Sequence, residues 1–230
     1  PQAHSSTEVT FTGQTDEPPL QYHYLKRPSE LIALTATEIP VARYLESAGN
    51  ELPADAPVDS IAYSYYDIHI QPGIRYQPHP AFARNEQGEL RYHGLTGEDL
   101  VDIYTLGDFT ETGSRELTAA DYVYQIKRLA PPGLHSPILG LMSDYIVGLG
   151  AYAKTLDAAW SQAGGAKQNA YLDLHKYPLA GAQESDRYTY RIKLKGKYPQ
   201  LLYWLAMPFF GPVPAEADAF YSQTGMKARN

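Results

Sequence analysis

The histidines are the residues of this chain that are best suited to metal chemistry, and their spacing does not predict a metal site. The chain has seven: His4, His23, His69, His79, His93, His135 and His175. No two are four residues apart, the spacing that places two imidazoles on one helical face to bind zinc. His69, on a predicted strand, and His79, beyond the following turn, are the pair that a fold could bring together. Hydrogen-bonded or solvated imidazoles are the favoured interpretation, so no metal ligand is predicted.

Carboxylates and nucleophiles are the next candidates for chemistry. The pairs Asp16-Glu17 and Glu98-Asp99 contain the two carboxyl groups that a glycosidase needs. Adjacent residues point apart on a strand or a helix, so neither pair has the required geometry. The chain has no Gly-x-Ser-x-Gly segment, the turn that presents the nucleophilic serine of many hydrolases. It also has no cysteine, and this absence excludes thiol catalysis, zinc–thiolate sites and disulfides. We therefore predict no catalytic residue, no cofactor and no enzymatic activity.

The composition is that of a globular protein with an acidic balance. The 230 residues include 19 basic and 26 acidic side chains, for a net charge of −7. No run of Lys and Arg is long enough to follow a phosphate backbone, so nucleic acid is not an expected partner. The most apolar run, Leu201 to Phe210, is shorter than the ~20 residues of a membrane span and contains Pro208. The 20 tyrosines suit a recognition surface, although half-buried strand positions are their more frequent location.

Two segments have the residue pattern of β-strands. Ile61 to Ile70 is rich in β-branched and aromatic residues and ends at a Pro72-Gly73 turn. Tyr188 to Lys195 alternates apolar and polar residues, which predicts a strand that covers a core on one side only. Residues 1 to about 60 are interrupted by prolines and are expected to be irregular, with short strands between them.

Capping residues mark the predicted helices. Thr118 begins the clearest one, because its hydroxyl can cap and Asp121 follows three residues later; Pro131 ends it. Ser136-Pro137 predicts the start of a second helix, with an apolar set of Ile138, Leu141, Met142, Tyr145 and Leu149. Further helices are predicted at Ala151 to Trp160, which ends at Gly164-Gly165, at Tyr198 to Ala206, and at Ala215 to Tyr221. The expected fold class is α+β, with mixed short strands and packed helices.

Eight segments, in their order along the chain, carry a resemblance to a known family. They are Glu17 to Leu20, Tyr66 to Gly73, Leu117 to Asp121, Arg128 to Pro131, Ser136-Pro137, Tyr188 to Leu194, Tyr198-Pro199 leading to Leu205, and Phe210 to Ala217. This series resembles the family 5 extracellular solute-binding proteins, the oligopeptide, dipeptide and nickel binders of ABC importers. Members of that family are more than twice this long, so the resemblance implies a fragment.

The resemblance implies the small inserted lobe of a type II periplasmic-binding-protein fold. Residues 1–60 would form a Pro-rich segment at the junction with the main lobe, 61–221 the small α+β lobe, and 222–230 a stub where the main lobe resumes. Two segments would be insertions, near 82–116 and 164–185. Within the first, Asn85 to Thr112 is expected to be a surface segment with one helical turn between Gly97 and Tyr104.

The function implied by the resemblance is solute capture. The two lobes of such proteins close on a ligand by a hinge motion, and permease subunits in the membrane read the closed form. This chain would supply one wall of the cleft of a periplasmic, monomeric protein that binds a peptide or another small solute.

The resemblance also suggests ligand-binding residues. Oligopeptide-binding relatives place a ligand-facing aromatic residue just after the Ser-Pro pair, where this chain has Ile138. His135, Ser136, Pro137 and Ile138 are therefore candidates for cleft contact. Tyr22 and Tyr24, near the expected lobe junction, are two further candidates, and burial at a lobe interface is an equal alternative for them.

Two other classes of function remain open. The Tyr and Trp content also suits a carbohydrate-binding module or a polysaccharide-active hydrolase, which glycan turnover would reveal. The long insertions also suit an interaction module that acts without a small ligand. Such a module would retain a partner in a pulldown with this chain alone.

Overall fold

A computed structural model describes residues 17–26, 30–165 and 171–227 of the chain. It divides into two compact units. The first, the sheet unit, contains the described residues up to Gln71 and Thr118–Pro212; the second, the insertion unit, contains Pro72–Leu117 and the described residues from Val213. Within those described ranges, no helix is both long enough and apolar enough to cross a bilayer.

The sheet unit contains two antiparallel sheets. A two-stranded sheet pairs β1 (Leu20–Tyr22) with β2 (Leu31–Ala33). A five-stranded sheet has the order β4-β3-β5-β7-β6 and consists of β3 (Arg43–Leu45), β4 (Glu51–Leu52), β5 (Tyr63–His69), β6 (Ala182–Asp186) and β7 (Thr189–Lys195). The described part of the Pro-rich segment thus contains the short strands that its sequence predicts. The expected domain boundaries at residues 60 and 221 stay a prediction.

The central strands β5 and β7 define the core. They pair over seven residues, with Tyr66 opposite Ile192 and Ile68 opposite Tyr190. These four side chains are almost completely buried. The neighbouring positions on each strand point to the other face, as the period of two requires. The predicted one-sided strand is confirmed, with Tyr188 just outside it.

Helix α1 (Ala119–Arg128) packs against β6 and β7. Its start is the predicted one, because the Asp121 carboxylate accepts the backbone N–H of Thr118 at 3.0 Å. This start places Tyr122 over Tyr190, with parallel rings whose centroids are 5.3 Å apart. The helix ends at Arg128, before Pro131, as predicted.

Helix α2 (Leu139–Tyr145) begins later than its sequence predicts. Ser136 is not the N-cap; its carbonyl accepts the Leu139 N–H in a turn, and Ile138 occupies the N-cap position. Leu141, expected in the core, is exposed. The predicted apolar set extends to Leu149, but α2 stops at Tyr145.

Helix α3 (Leu149–Gln162) follows α2 after a break at Gly148, which has a φ of 78°. Gly164 and Gly165 have positive φ values just beyond α3, in agreement with their predicted role as terminators. Helix α4 (Leu201–Trp204) begins within the predicted segment but ends two residues earlier than expected.

The insertion unit has its own core, which differs from the surface segment expected from its sequence. Leu100, Phe109 and Phe220 are buried together with Ala81. Helices α5 (Ala215–Ser222) and α6 (Thr224–Lys227) belong to this unit, and α5 matches the last predicted helix. The predicted turn between Gly97 and Tyr104 is present as a short 3-10 helix over Glu98–Leu100.

Gly181 gives a test of the packing beside β7. A Cβ atom at this position would overlap the Val147 carbonyl oxygen, whereas one at Gly140 of α2 would meet nothing within 4 Å. We expect Gly181→Ala to lower the free energy of unfolding by about 1–3 kcal/mol through overpacking. The matched control Gly140→Ala should raise it by about 0.5–1 kcal/mol, because alanine favours a helix. Urea unfolding followed by circular dichroism measures both; equal effects of the two substitutions would contradict the packing described here.

Candidate binding surface

An exposed pair of tyrosines lies where the β1–β2 hairpin meets α4. The Leu20 N–H donates to the Leu205 carbonyl at 3.2 Å, which holds the hairpin against the end of α4. Tyr22 on β1 then stacks on Tyr203 of α4, with ring centroids 6.3 Å apart and an interplanar angle of 20°. Tyr22 is 42% exposed and Tyr203 is 47% exposed. We call these two residues the aromatic pair.

The local sequence explains why the Tyr203 ring points outwards. On β1, Tyr22 shares a strand face with the completely buried Leu20, so its exposure is not explained by the strand period. On α4 and its last turn, Leu201 and Leu205 are fully buried and four residues apart, so Tyr203 between them lies on the opposite side. Sequence reasoning identified Tyr22 and missed Tyr203. The sequence does contain a signal for Tyr203, because a residue midway between two leucines four positions apart lies on the opposite side of a helix from both.

Two side-chain contacts hold the residues around α4. The indole N–H of Trp204 donates to the Tyr198 hydroxyl at 3.0 Å. Tyr198 stacks on Tyr145 at the end of α2 with a centroid separation of 3.6 Å. These contacts restrain Trp204 and Tyr198, and such restraint of a helix before binding lowers the entropy that it would lose on binding a ligand.

The other candidate tyrosine, Tyr24, is not part of this pair. It lies in the turn after β1 and is 90% exposed, next to the exposed Leu25. The structure thus brings together one of the two predicted tyrosines with a residue that was not predicted, and its ligand role stays a prediction.

The segment His135–Ile138 lies between α1 and α2. His135 has a φ of 46°, the left-handed conformation that non-glycine residues rarely adopt. His135 and Pro137 are exposed, Ser136 is partly buried and Ile138 is buried in the core. Of the four candidates, His135 and Pro137 are thus the most accessible. Whether any of the four contacts a ligand stays a prediction.

The outward face of the five-stranded sheet is covered by its own cations. Arg191 forms two hydrogen bonds with the Asp67 carboxylate, at 2.7 and 2.8 Å, and this pairing raises the pKa of Arg191. The guanidinium groups of Arg191 and Arg43 lie 4.2 and 5.0 Å from the centroid of the Tyr65 ring. Lys193 lies 4.3 Å from that of Tyr63. These rings engage in cation–π contacts, so a sugar has little aromatic surface to stack on there.

Three of the groups considered for metal and acid–base chemistry, His69, His79 and Asp99, make local hydrogen bonds, whereas His4 and Asp16 lie outside the described residues. Within the described residues, no cluster of three His, Asp or Glu side chains is arranged to hold a metal ion. The His69 ring lies 3.0 Å from the Thr189 hydroxyl, and the His79 ring lies 2.8 Å from the Tyr221 hydroxyl. The pKa of Asp99 is lowered because the Thr96 backbone N–H and hydroxyl donate to it.

Comparisons with known proteins show the fold. No protein-family model and no curated protein matches the chain. The structure of the pheromone receptor PrgZ, reported with its mode of peptide binding, matches 96% of this chain with a TM-score of 0.54 and 16% identity. Burkholderia pseudomallei OppA matches 96% with a TM-score of 0.51 and 14% identity. The periplasmic binding protein DppA from Helicobacter pylori, which is ABC transporter-associated and was solved with the peptide STSA, matches 98% with a TM-score of 0.51 and 14% identity.

The match covers only part of each of these proteins. The chain spans 29% of PrgZ, 28% of OppA and 30% of DppA. The expected α+β lobe of a periplasmic-binding-protein fold is confirmed, and so, at the level of the fold, is the resemblance found in the sequence.

The stacking of the aromatic pair can be measured with a double-mutant cycle. We expect Tyr22→Ala and Tyr203→Ala to couple by about 0.5 kcal/mol in the free energy of unfolding, the low end for aromatic pairs, because both rings are half exposed. Tyr24→Ala with Tyr203→Ala is the matched control and should be additive. Equal coupling in both cycles, measured by urea unfolding, would argue against the contact.

The left-handed backbone at His135 leads to a second expectation. His135→Val should destabilise the chain by roughly 1–2 kcal/mol, because a β-branched residue is strained in this conformation. His135→Asn should change the free energy of unfolding by less than about 0.5 kcal/mol, because asparagine tolerates it. Thermal unfolding of the two variants checks this difference, and identical midpoints would contradict the assigned backbone.

Proposed function

We propose that this protein is the solute-binding component of an ABC import system and that this chain forms one wall of its ligand cleft. The single observation that carries the proposal is the likeness of nearly the whole chain to one part of PrgZ and of DppA, two proteins whose structures were reported with peptide binding. The proposed ligand class is therefore a peptide. Capture rather than catalysis is the proposed activity.

The aromatic pair is the proposed contact surface for the ligand within this chain. Tyrosine supplies a large contact area with few rotatable bonds, so it binds varied side chains at a low entropic cost. The aromatic pair is exposed, yet α4 beneath it is held by the Trp204–Tyr198 hydrogen bond. Main-chain groups of the cleft would bind the peptide backbone, a mode of recognition that does not depend on the peptide's side chains.

The location, the membrane partners and the oligomeric state of the protein follow from this proposal. A solute-binding protein of this class acts in the periplasm, and permease subunits in the membrane are its partners. Closure of two lobes around the ligand would create the form that the permease reads. A monomer is the proposed state.

Calorimetric titration of the whole encoded polypeptide with peptides of two to about eight residues tests this function. Binding heat is expected with at least one peptide. Tyr22→Ala or Tyr203→Ala should weaken that binding roughly tenfold, the usual effect of removing an aromatic anchor.

The matched control is Tyr104→Ala, which removes an equally large and highly exposed tyrosine from the insertion unit. It should leave the affinity unchanged. Absence of heat with every peptide and with nickel would overturn the proposal. Turnover of a glycan, lost on replacing one carboxylate, would favour the carbohydrate alternative instead.

A further inference from the structure

The insertion unit joins two stretches of chain that are far apart in sequence. Arg115, from the first stretch, makes two hydrogen bonds to the Glu216 carboxylate of α5, at 2.8 and 2.7 Å. The side chain of Gln223 accepts the Leu95 N–H at 2.7 Å and donates to the Tyr92 carbonyl at 3.0 Å. Segments 72–117 and 213–227 are thus connected by specific polar contacts around the buried Phe220.

His79 makes another connection between the two segments, and its hydrogen bonds determine the tautomer of its neutral ring. Its Nδ1 accepts the backbone N–H of Ala81 at 3.0 Å. A neutral imidazole with an acceptor at Nδ1 carries its proton on Nε2, which therefore donates to the Tyr221 hydroxyl 2.8 Å away. A second proton can bind only at Nδ1, where it would point at the Ala81 N–H. Protonation of His79 therefore breaks the contact that caps the 3-10 helix Pro80–Phe82.

His93 is a second histidine in the same cluster. Its ring lies 6.4 Å from that of Phe220, and the ring of His79 lies 5.5 Å from the same phenylalanine. Its buried Nε2 has no hydrogen-bond partner within the described part of the chain. A charged imidazole at this position would bury an additional N–H donor without an acceptor, which is unfavourable.

The charged and titratable neighbours do little to stabilise a second proton. The Tyr221 hydroxyl faces His79. Glu216 and Arg84 act on His93 with opposite signs, and Glu216 is already paired with Arg115. Burial is accordingly the largest effect on both rings, and it lowers the pKa of His79 and of His93.

We propose that His79 and His93 make the insertion unit a proton-sensitive clasp that holds segment 213–227 at neutral pH and holds it less tightly on acidification. The proposal does not depend on the proposed function. For a histidine whose pKa is lower in the folded state, the unfolded state binds more protons below the ordinary value of about 6.5. The contribution of the two neutral histidines to the stability of the folded insertion unit is therefore complete above a pH of about 6.5. It is lost as the pH falls through the lowered pKa of the folded state.

Hydrogen exchange on the full chain tests the clasp. Protection factors, which correct for the intrinsic pH dependence of exchange, are measured for α5 and for β5 and β7 between about pH 7.5 and about pH 5. Protection of α5 should fall roughly fivefold, the equivalent of one lost hydrogen bond. Protection of β5 and β7 should stay constant over the same range.

The double variant His79→Asn/His93→Gln removes both titrations, while the amide oxygen introduced at position 79 still offers an acceptor to the Ala81 N–H. Its α5 protection should be independent of pH. The matched control His69→Asn changes an exposed histidine of the sheet unit and should respond as the unmodified chain does. A response in the double variant equal to that of the unmodified chain would overturn the proposal.

A second measurement needs no variant. The ring signals of His79 and His93 in the unmodified chain should titrate in NMR spectra with midpoints below about 6.5. Midpoints at or above that value, or constant α5 protection across the pH range, would also overturn the clasp.

Discussion

The structure depends on covering the one apolar face of the β5–β7 pair. Tyr66, Ile68, Tyr190 and Ile192 lie on that face and are almost inaccessible to water. Burying each such side chain stabilises the fold by about 1.5–3 kcal/mol, so an uncovered face is not compatible with a stable chain. Helix α1 provides the cover, and the Thr118–Asp121 cap determines that Tyr122 lies on Tyr190.

The same cover organises the candidate binding surface. The Tyr122 hydroxyl lies 2.5 Å from that of Thr35, just beyond β2, and Thr35 also donates to the Pro18 carbonyl just before β1. These bonds tie both ends of the β1–β2 hairpin to the core beneath α1. The hairpin that carries Tyr22 is therefore tied to the same buried tyrosine that stacks on the sheet. A substitution that removed this packing would therefore disturb the aromatic pair, even though Tyr22 and Tyr203 were not themselves replaced.

The sequence predicted the features that local rules govern and missed those that depend on distant partners. The alternation of β7 and the cap of α1 involve residues within a few positions of each other, and both predictions are confirmed. The contact between Tyr22 and Tyr203 joins residues that no periodicity connects. The same holds for Leu100 and Phe220, whose common core turned an expected surface segment into a packed unit. Ser136-Pro137 fits the helix-start pattern, yet α2 begins at Leu139.

The two outer strands of the large sheet have a consequence for aggregation. Strand β4 is only two residues long, and β6 is exposed from Gln183 to Asp186 with carboxylates at Glu184 and Asp186. Short or charged margins hinder the backbone of another chain from adding a further strand. The margins of this sheet therefore oppose edge-to-edge polymerisation and the addition of an extended peptide as a further strand.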